Sequence, residues 1–344
     1  MKERGRGSCC GLFDGRRCRR GQKEKKSEHE QKHEHDERRR APRLLRGPNH
    51  SGAQLLLLER TMARNASHAG TWYTENAREL GDELDRWLRA AGSAKRSNAR
   101  AVIAPSRVFL LGPSHHHFTR KCALSTTSVY KTPLGDLPID LEDVAFLEKK
   151  PVPLYLESVY QELKATGRFE DMEISVDEAE HSMEMHLPYI AKVFQGCSVK
   201  VVPILVGALQ PDSEAAYGRL LAKYIDDPSN FFSVSSDFCH WGSRFNYTYY
   251  EKKHGPIYKS IEALDQNGMS IIETGDPRAF RDYMQEYDNT ICGQHPIGVF
   301  LNMLEHCNTR LQIKFLQYEQ SSHCKSMRDS SVSYASAVAT VAAS

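Results

Sequence analysis

The chain has 344 residues, 40% hydrophobic and 26% charged, which supplies one large core or two moderate ones and excludes a wholly disordered chain or a minimal disulfide scaffold. Residues 1–60 carry 17 Lys and Arg against 9 Asp and Glu, whereas residues 61–344 carry 29 against 35, so the body is mildly acidic. A nucleic-acid binder needs a basic face to displace counterions from phosphate, and the only basic excess here is interleaved with Glu, so no nucleic-acid partner is expected.

In chain order, residues 1–61 come first. They lack apolar periodicity, and Lys23 to Arg40 is nearly all Lys, Arg, Glu, His and Gln, which cannot repay the entropy of ordering. A disordered basic extension is predicted. The Cys9-Cys10 pair beside basic residues suggests acylation, but Met1 is followed by Lys2 and not by the glycine that myristoylation requires, so a plain extension is the reading adopted. Met62 is followed at once by foldable sequence and is a candidate alternative start.

From residue 62 to 344 short β-rich apolar runs alternate with amphipathic segments, the rhythm of a single α/β domain. Glu79 to Leu88 places Leu80, Leu84, Trp87 and Leu88 on one helical face. Buried strands are predicted at Ala101–Ala104, Val108–Leu111, Val199–Val206 and Phe231–Ser235. Helices are predicted at Ser213–Ile225, Ile257–Ile272, Pro277–Tyr287 and Pro296–His306, and strands again at Leu311–Tyr318 and Ser331–Val341. Two places break the rhythm. Only Pro105-Ser106-Arg107 separates the first two strands, whereas parallel neighbours need a crossover of about a dozen residues. Conversely, Val144 to Leu163 is helix-like but interrupted by Pro151-Val152-Pro153, which a continuous helix does not tolerate.

Of the nine cysteines, three lie in the extension and six are scattered through the body with no C-x-x-C pair, as expected of reduced thiols in a cytoplasmic protein. The longest leucine run, Leu55–Leu58, is too short to span a bilayer, so no transmembrane segment is expected.

In open α/β sheets the functional crevice lies beyond the carboxyl ends of the strands. Val108–Leu111 is followed there by His115-His116-His117, and Phe231–Ser235 by Asp237, Cys239 and His240. Cys292 precedes a helix expected from Pro296, whose positive end favours a thiolate. Imidazole, thiolate and carboxylate on one rim suit a transition metal. Each residue also has a bland alternative: a polar loop for His115, a buried inert thiol for Cys292, and a turn for Asp237 and His240 in place of a general base and its orienter. Two further segments are set aside. Glu180 to Pro188 contains H-x-x-E-x-H, which is neither zincin motif, and residues 181 and 186 share no helical face, so a structural or pocket-wall role is expected. Ser67 to Tyr73 precedes the first strand and is expected to pack over the rim or core.

Together Ser67–Tyr73, Leu111–His116, Glu180–Tyr189, Pro203–Gly207, Ser235–Gly242 and Ile291–Gly298 closely resemble the Memo family, from about Ala66 to the C-terminus. That family is itself similar to the class III extradiol dioxygenases, non-haem iron enzymes. The resemblance implies a central mixed sheet flanked by helices and a signalling adaptor that binds receptor phosphotyrosine segments and cytoskeletal regulators in the control of cell motility. It also implies copper or iron held by His115 and Cys292, with Asp237 and His240 in the pocket. The family's third ligand is the His of a His-Ala-Gly-Tyr stretch directly after Ala-Pro. Here Ala104-Pro105 runs into Ser106-Arg107, the place where the crossover is short, and the Pro-containing segment near residue 151 is foreign to the family. An alternative isoform with weak or absent metal binding follows. The rival readings are a metal-dependent oxidoreductase of the extradiol type, which the thiolate weighs against, and a scaffold without metal.

Overall fold

The computed structural model describes residues 62–90, 106–141 and 158–342. The expected extension 1–61, the strand at Ala101–Ala104, the junction at Pro105 and the Pro151–Pro153 segment lie outside these residues. The order is β1 (Ala63–Arg64), α1 (Ala77–Ala90), β2 (Arg107–Pro113), β3 (Cys122–Ser125), β4 (Val129–Tyr130) and β5 (Leu137–Pro138). Next come α2 (Val159–Ala165), β6 (Phe169–Met172) and three short helices, α3 (Ile174–Ala179), α4 (His181–Glu184) and α5 (Leu187–Val193). They are followed by β7 (Lys200–Val206), α6 (Pro211–Ile225), β8 (Asn230–Val234) and β9 (His240–Trp241). Helices α7 (Ile257–Glu273), α8 (Pro277–Tyr287) and α9 (Gln294–His306) precede the last pair, β10 (Leu311–Gln320) and β11 (Ser331–Val341).

The central sheet has the order β6-β3-β7-β2-β8. Strand β2 lies parallel between β7 and β8, with Val108 opposite Val201 on one side and Phe231 on the other. Strand β3 runs antiparallel to β7 and parallel to β6, so the sheet is mixed, as the resemblance implies. The two innermost strands of this group read as uninterrupted apolar runs because both their faces are covered: Val108 to Leu111 and Val201, Val202, Ile204 and Leu205 are all fully buried. Strand β8 pairs only with β2 among the described residues, and its Phe231 is half exposed.

A second core forms where α7 and α8 pack with the β10-β11-β9 sheet around Trp241, Ile261, Phe280 and Tyr283. Helix α1 buries Leu80 and Leu84, the face read from its spacing, and its Trp87 stacks on Tyr189. What positions the site is the central sheet. Since β2 and β8 are parallel neighbours, their carboxyl ends deliver the segments bearing His115 and Asp237 to one rim.

Candidate functional site

The rim is bolted together by buried hydroxyls. Ser235, just past β8, donates its backbone N–H to the Leu111 carbonyl at 2.8 Å and its hydroxyl to the Ser182 carbonyl at 2.9 Å. Ser182 in turn donates its hydroxyl to the Pro113 carbonyl at 3.0 Å. Helix α4 is thereby pinned across the ends of β2 and β8. The approach is so close that a Cβ on Gly112 would lie 2.5 Å from Met183 Cγ and 2.8 Å from Ser182 Oγ, so only glycine fits in β2 at that point.

This docking brings Glu180 under His115. Glu180 is 1% exposed; its Oε2 accepts the His115 backbone N–H at 2.7 Å, and its Oε1 meets His115 Nδ1 at 2.9 Å and accepts the Ser182 N–H at 2.9 Å. Burial pushes the Glu180 carboxyl upward, but the hydrogen bonds from His115 and Ser182 and the His115 charge outweigh it and hold the group at about 2. An ionised carboxylate only accepts, so His115 directs an Nδ1–H at Glu180, and this bond leaves its Nε2 uncommitted.

The same device recurs one helical turn on. Glu184, fully buried, accepts the His68 backbone N–H at 2.8 Å through Oε1 and meets His68 Nδ1 at 2.8 Å through Oε2. Tyr73 donates to the same carboxylate at 3.0 Å. Beneath both glutamates lies Arg64, itself fully buried. It pairs with Glu184 at 2.8 Å and Asp177 at 2.9 Å, and donates to the carbonyls of Asp177 and Glu180 at 2.8 and 2.9 Å. Burial works against ionisation of Glu184, but the His68 bonds and Arg64 prevail and hold its carboxyl below the ordinary value.

His181 lies between the two histidines. Its ring stacks on His115 at 4.5 Å and on Trp72 at 4.7 Å, and meets the edge of His68 at 6.1 Å. Burial, reinforced by the charges that His115, His68 and His116 can carry and opposed by Glu180, pushes His181 down to about 4, so it is neutral at physiological pH. His115, Glu180 and His181 offer ligand atoms that all lie within 4.8 Å of one another, the one such three-residue group among the described residues. Both segments that the sequence set aside are therefore on the rim. The pocket-wall role and the packing over the rim expected of them fit this placement, but local spacing did not show which side chains meet there, because the helix breaks at Glu180, where φ is −82° and ψ 118°, making Glu180 the N-cap of α4 and His181 its first residue.

Asp237 and Cys292 meet on the other side. The Asp237 N–H donates to Cys292 Sγ at 3.1 Å. A Cβ on Gly293 would come within 2.4 Å of Ser236 Cβ and 2.5 Å of the Ser235 carbonyl, so glycine is required for this contact. Burial raises Asp237 to about 7, with the His115 charge opposing. Burial and the Asp237 charge raise the Cys292 thiol to about 12, against the Asp237 N–H and the Ser236 hydroxyl. The helix-end activation expected of Cys292 is thus overridden by desolvation.

His240 is not oriented by Asp237. Its Nδ1–H donates to the carbonyls of Phe238 and Thr290 at 2.9 and 3.0 Å, leaving Nε2 free. Burial lowers its pKa, and the two carbonyl bonds oppose that shift. The ring meets the edge of Phe245 at 5.2 Å, over which the Arg244 guanidinium lies at 4.3 Å. A cavity of about 310 Å³ between α6, α8 and α9 includes none of these rim residues.

The Memo-like protein family model matches residues 104–338. This chain belongs to the Memo family. It is 46% identical to Protein MEMO1 of Xenopus tropicalis and of Homo sapiens, in each case over 310 aligned residues that cover 82% of this chain and 99% of the relative. The memo-1 homolog of Caenorhabditis elegans is 42% identical over 303 residues, covering 80% of this chain and 82% of that one. Because 82% of 344 residues is about 282, fewer than the 310 aligned positions, the alignment with MEMO1 passes over segments that this Memo chain lacks. The copper or iron expected of His115 and Cys292 fits this rim only in part. His115 is oriented as a ligand, but among the described residues no third donor joins it to Cys292, and the three-residue group that forms around it excludes the thiol.

Proposed function

We propose that this Memo-family chain is a cytoplasmic signalling adaptor whose rim receives a phosphotyrosine segment of an activated receptor tyrosine kinase and passes the signal to cytoskeletal regulators of cell motility. The observation that supports this reading is the pairing of cation and aromatic beside His240. Arg244 lies over Phe245, Phe245 abuts the His240 ring, and the Nε2 atoms of His240 and His115 are left uncommitted by their own hydrogen bonds. A phosphotyrosine presents a dianion on an aromatic ring, and Arg with imidazole donors next to an aromatic face is the matching chemistry. Six free cysteines among the described residues suit a reducing compartment, and none of their helices is long and apolar enough to cross a membrane.

The test is fluorescence anisotropy with paired receptor-tail peptides, phosphorylated and not. Phosphorylation is expected to tighten binding at least about tenfold, and Arg244→Ala to remove most of that gain; equal binding of the two peptides overturns the proposal. A second reading, a metal-dependent oxidoreductase of the extradiol type, is favoured by one observation, the grouping of two histidines and a carboxylate. Loading with Fe(II) under anaerobic conditions, followed by catechols and dioxygen, separates the two. The adaptor reading expects no ring-opened product at enzyme-like turnover.

A further inference from the structure

Away from the rim, the cavity of about 310 Å³ is enclosed by three helical faces. Asp212, Ala215 and Arg219 recur along one face of α6, Arg278 and Arg281 lie one turn apart on α8, and Asn302, Glu305 and His306 share a face of α9. Helices α6 and α9 touch beside it: a Cβ on Gly218 would lie 2.4 Å from Asn302 Cβ, and Asn302 is buried. Three arginines thus converge on one recess of a body in which acidic residues outnumber basic ones. Among the described residues no ion pair or hydrogen bond holds any of the three guanidinium groups. The carboxylates nearby in the chain are committed elsewhere. Asp276 caps α8, accepting the Arg278 and Ala279 backbone N–H groups at 2.8 and 3.2 Å, and Glu214 meets His295 Nδ1 at 2.7 Å. Arg281 decides the matter, because its Nε is buried and has no acceptor. A charged donor withdrawn from water without an acceptor is costly, and an anion in the cavity removes that cost.

We propose that Arg219, Arg278 and Arg281 form a second binding site, for a small phosphorylated polyol whose phosphate the guanidinium groups hold and whose hydroxyls Asp212 and Glu305 accept. The planar fork of arginine matches phosphate oxygens two at a time, which makes it the fitting cation for such a group. The cavity lies at the lower end of the roughly 300–1,000 Å³ typical of small-molecule sites, so the ligand is small. No Phe, Tyr or Trp lines it, so it offers a nucleobase no ring to stack on. Asp212 and Glu305 repel a second anionic group but take hydrogen bonds from hydroxyls, since a carboxylate only accepts. One phosphate with neutral hydroxyls satisfies both halves of the lining. The site shares no residue with the rim and does not depend on how the rim is read.

The experiment is a calorimetric titration of the full chain with glycerol 3-phosphate, inorganic phosphate, succinate and glycerol, repeated on Arg278→Ala, Arg281→Met and Arg244→Ala. Thermal melts without ligand check that each variant is folded; Arg278 is exposed, so Arg278→Ala carries the test if Arg281→Met is not. The expected result is one glycerol 3-phosphate per chain, bound at least about tenfold more tightly than inorganic phosphate or succinate, and no heat from glycerol. Binding is expected to weaken at least about tenfold in both Arg278→Ala and Arg281→Met. Affinity unchanged in both of these variants overturns the site, and its loss in Arg244→Ala alone moves the anion to the rim. Equal affinity for inorganic phosphate or succinate overturns the polyol phosphate as the ligand, and a chain that binds none of the four probes overturns the proposal as a whole.

Discussion

Arg64 is the sharpest test of how the rim is supported. Its guanidinium is fully buried, pairs with Asp177 at 2.9 Å and Glu184 at 2.8 Å, and reaches the Asn65, Asp177 and Glu180 carbonyls at 2.9, 2.8 and 2.9 Å. Arg64→Met keeps most of the apolar stem but leaves two fully buried carboxylates without their cation. Breaking a buried pair by removing one partner costs about 3–5 kcal/mol, because the stranded charge has lost its hydration and its counter-charge together. At roughly 2–4 °C per kcal/mol for a domain of this size, the melting temperature is expected to fall on the order of 10 °C.

The deficit has a sign in pH. Arg64 stabilises the fold while Asp177 and Glu184 are ionised. In Arg64→Met the stranded carboxyls take up protons at higher pH than in the wild type, so the gap between the two proteins narrows as pH falls from 7 to 4. Adding Glu184→Gln to Arg64→Met removes one stranded charge and is expected to recover part of the loss. Urea unfolding midpoints at several pH values measure all of this. A deficit below about 1 kcal/mol, or one that does not change with pH, would falsify the account of Arg64 as the buried counter-charge of the rim.

Three further outcomes are expected. Glu180 is held at about 2 in the fold, below its unfolded value, so its contribution is fully present above that unfolded value and is lost as pH falls from roughly 4.5 toward 2; acid melts of Glu180→Gln should lack this limb. Gly293→Ala drives a methyl into Ser236 and the Ser235 carbonyl and should cost about 1–3 kcal/mol, and a melt unchanged from wild type refutes that packing. Alkylation of Cys292 in the metal-free protein should be slow at pH 8 relative to exposed Cys197, because its thiol is pushed up to about 12; rapid labelling at Cys292 shows a thiolate and sinks the argument.

The parallel strands at the centre were legible because burial on both faces leaves no polar residue to confuse the pattern. Thus Val108–Leu111 and Val199–Val206 emerge within a residue or two of β2 and β7, and α8 and β11 emerge at their predicted bounds. Strand β3, four residues of Cys-Ala-Leu-Ser, is too short to carry a period, and β6 is half polar. The placement of His115, Asp237, His240 and Cys292 was read from strand ends and shared family motifs. The glutamates were not, because what sets Glu180 and Glu184 beneath His115 and His68 is the burial imposed by Ser182 and Ser235 binding the ends of β2 and β8, a tertiary effect that no local spacing reports. One signal was available: Glu180 and Glu184 lie four apart, and each histidine they hold is bound through both its backbone and its ring.

The position of β2 decides what a shortened connection at Pro105 can alter. Its register is fixed along Arg107–Pro113 by β7 and along Arg107–Leu111 by β8, and its carboxyl end is held by Ser182 and Ser235. None of those contacts draws on the residues before Ser106. The half of the rim built from His115, Glu180, His181 and Asp237 therefore keeps its frame from the sheet itself, whereas the third ligand that the family resemblance implies would belong to the connection. Restoring a His-Ala-Gly-Tyr segment after Pro105 is expected to add a third donor beside His115 and Cys292 and to raise copper affinity at least about tenfold. Competition titrations with a copper chelator on the two forms, and on Cys292→Ser of each, measure the gain. Copper bound as tightly without the segment as with it would show that the connection supplies no ligand, and that the assignment to His115 and Cys292 must be rebuilt.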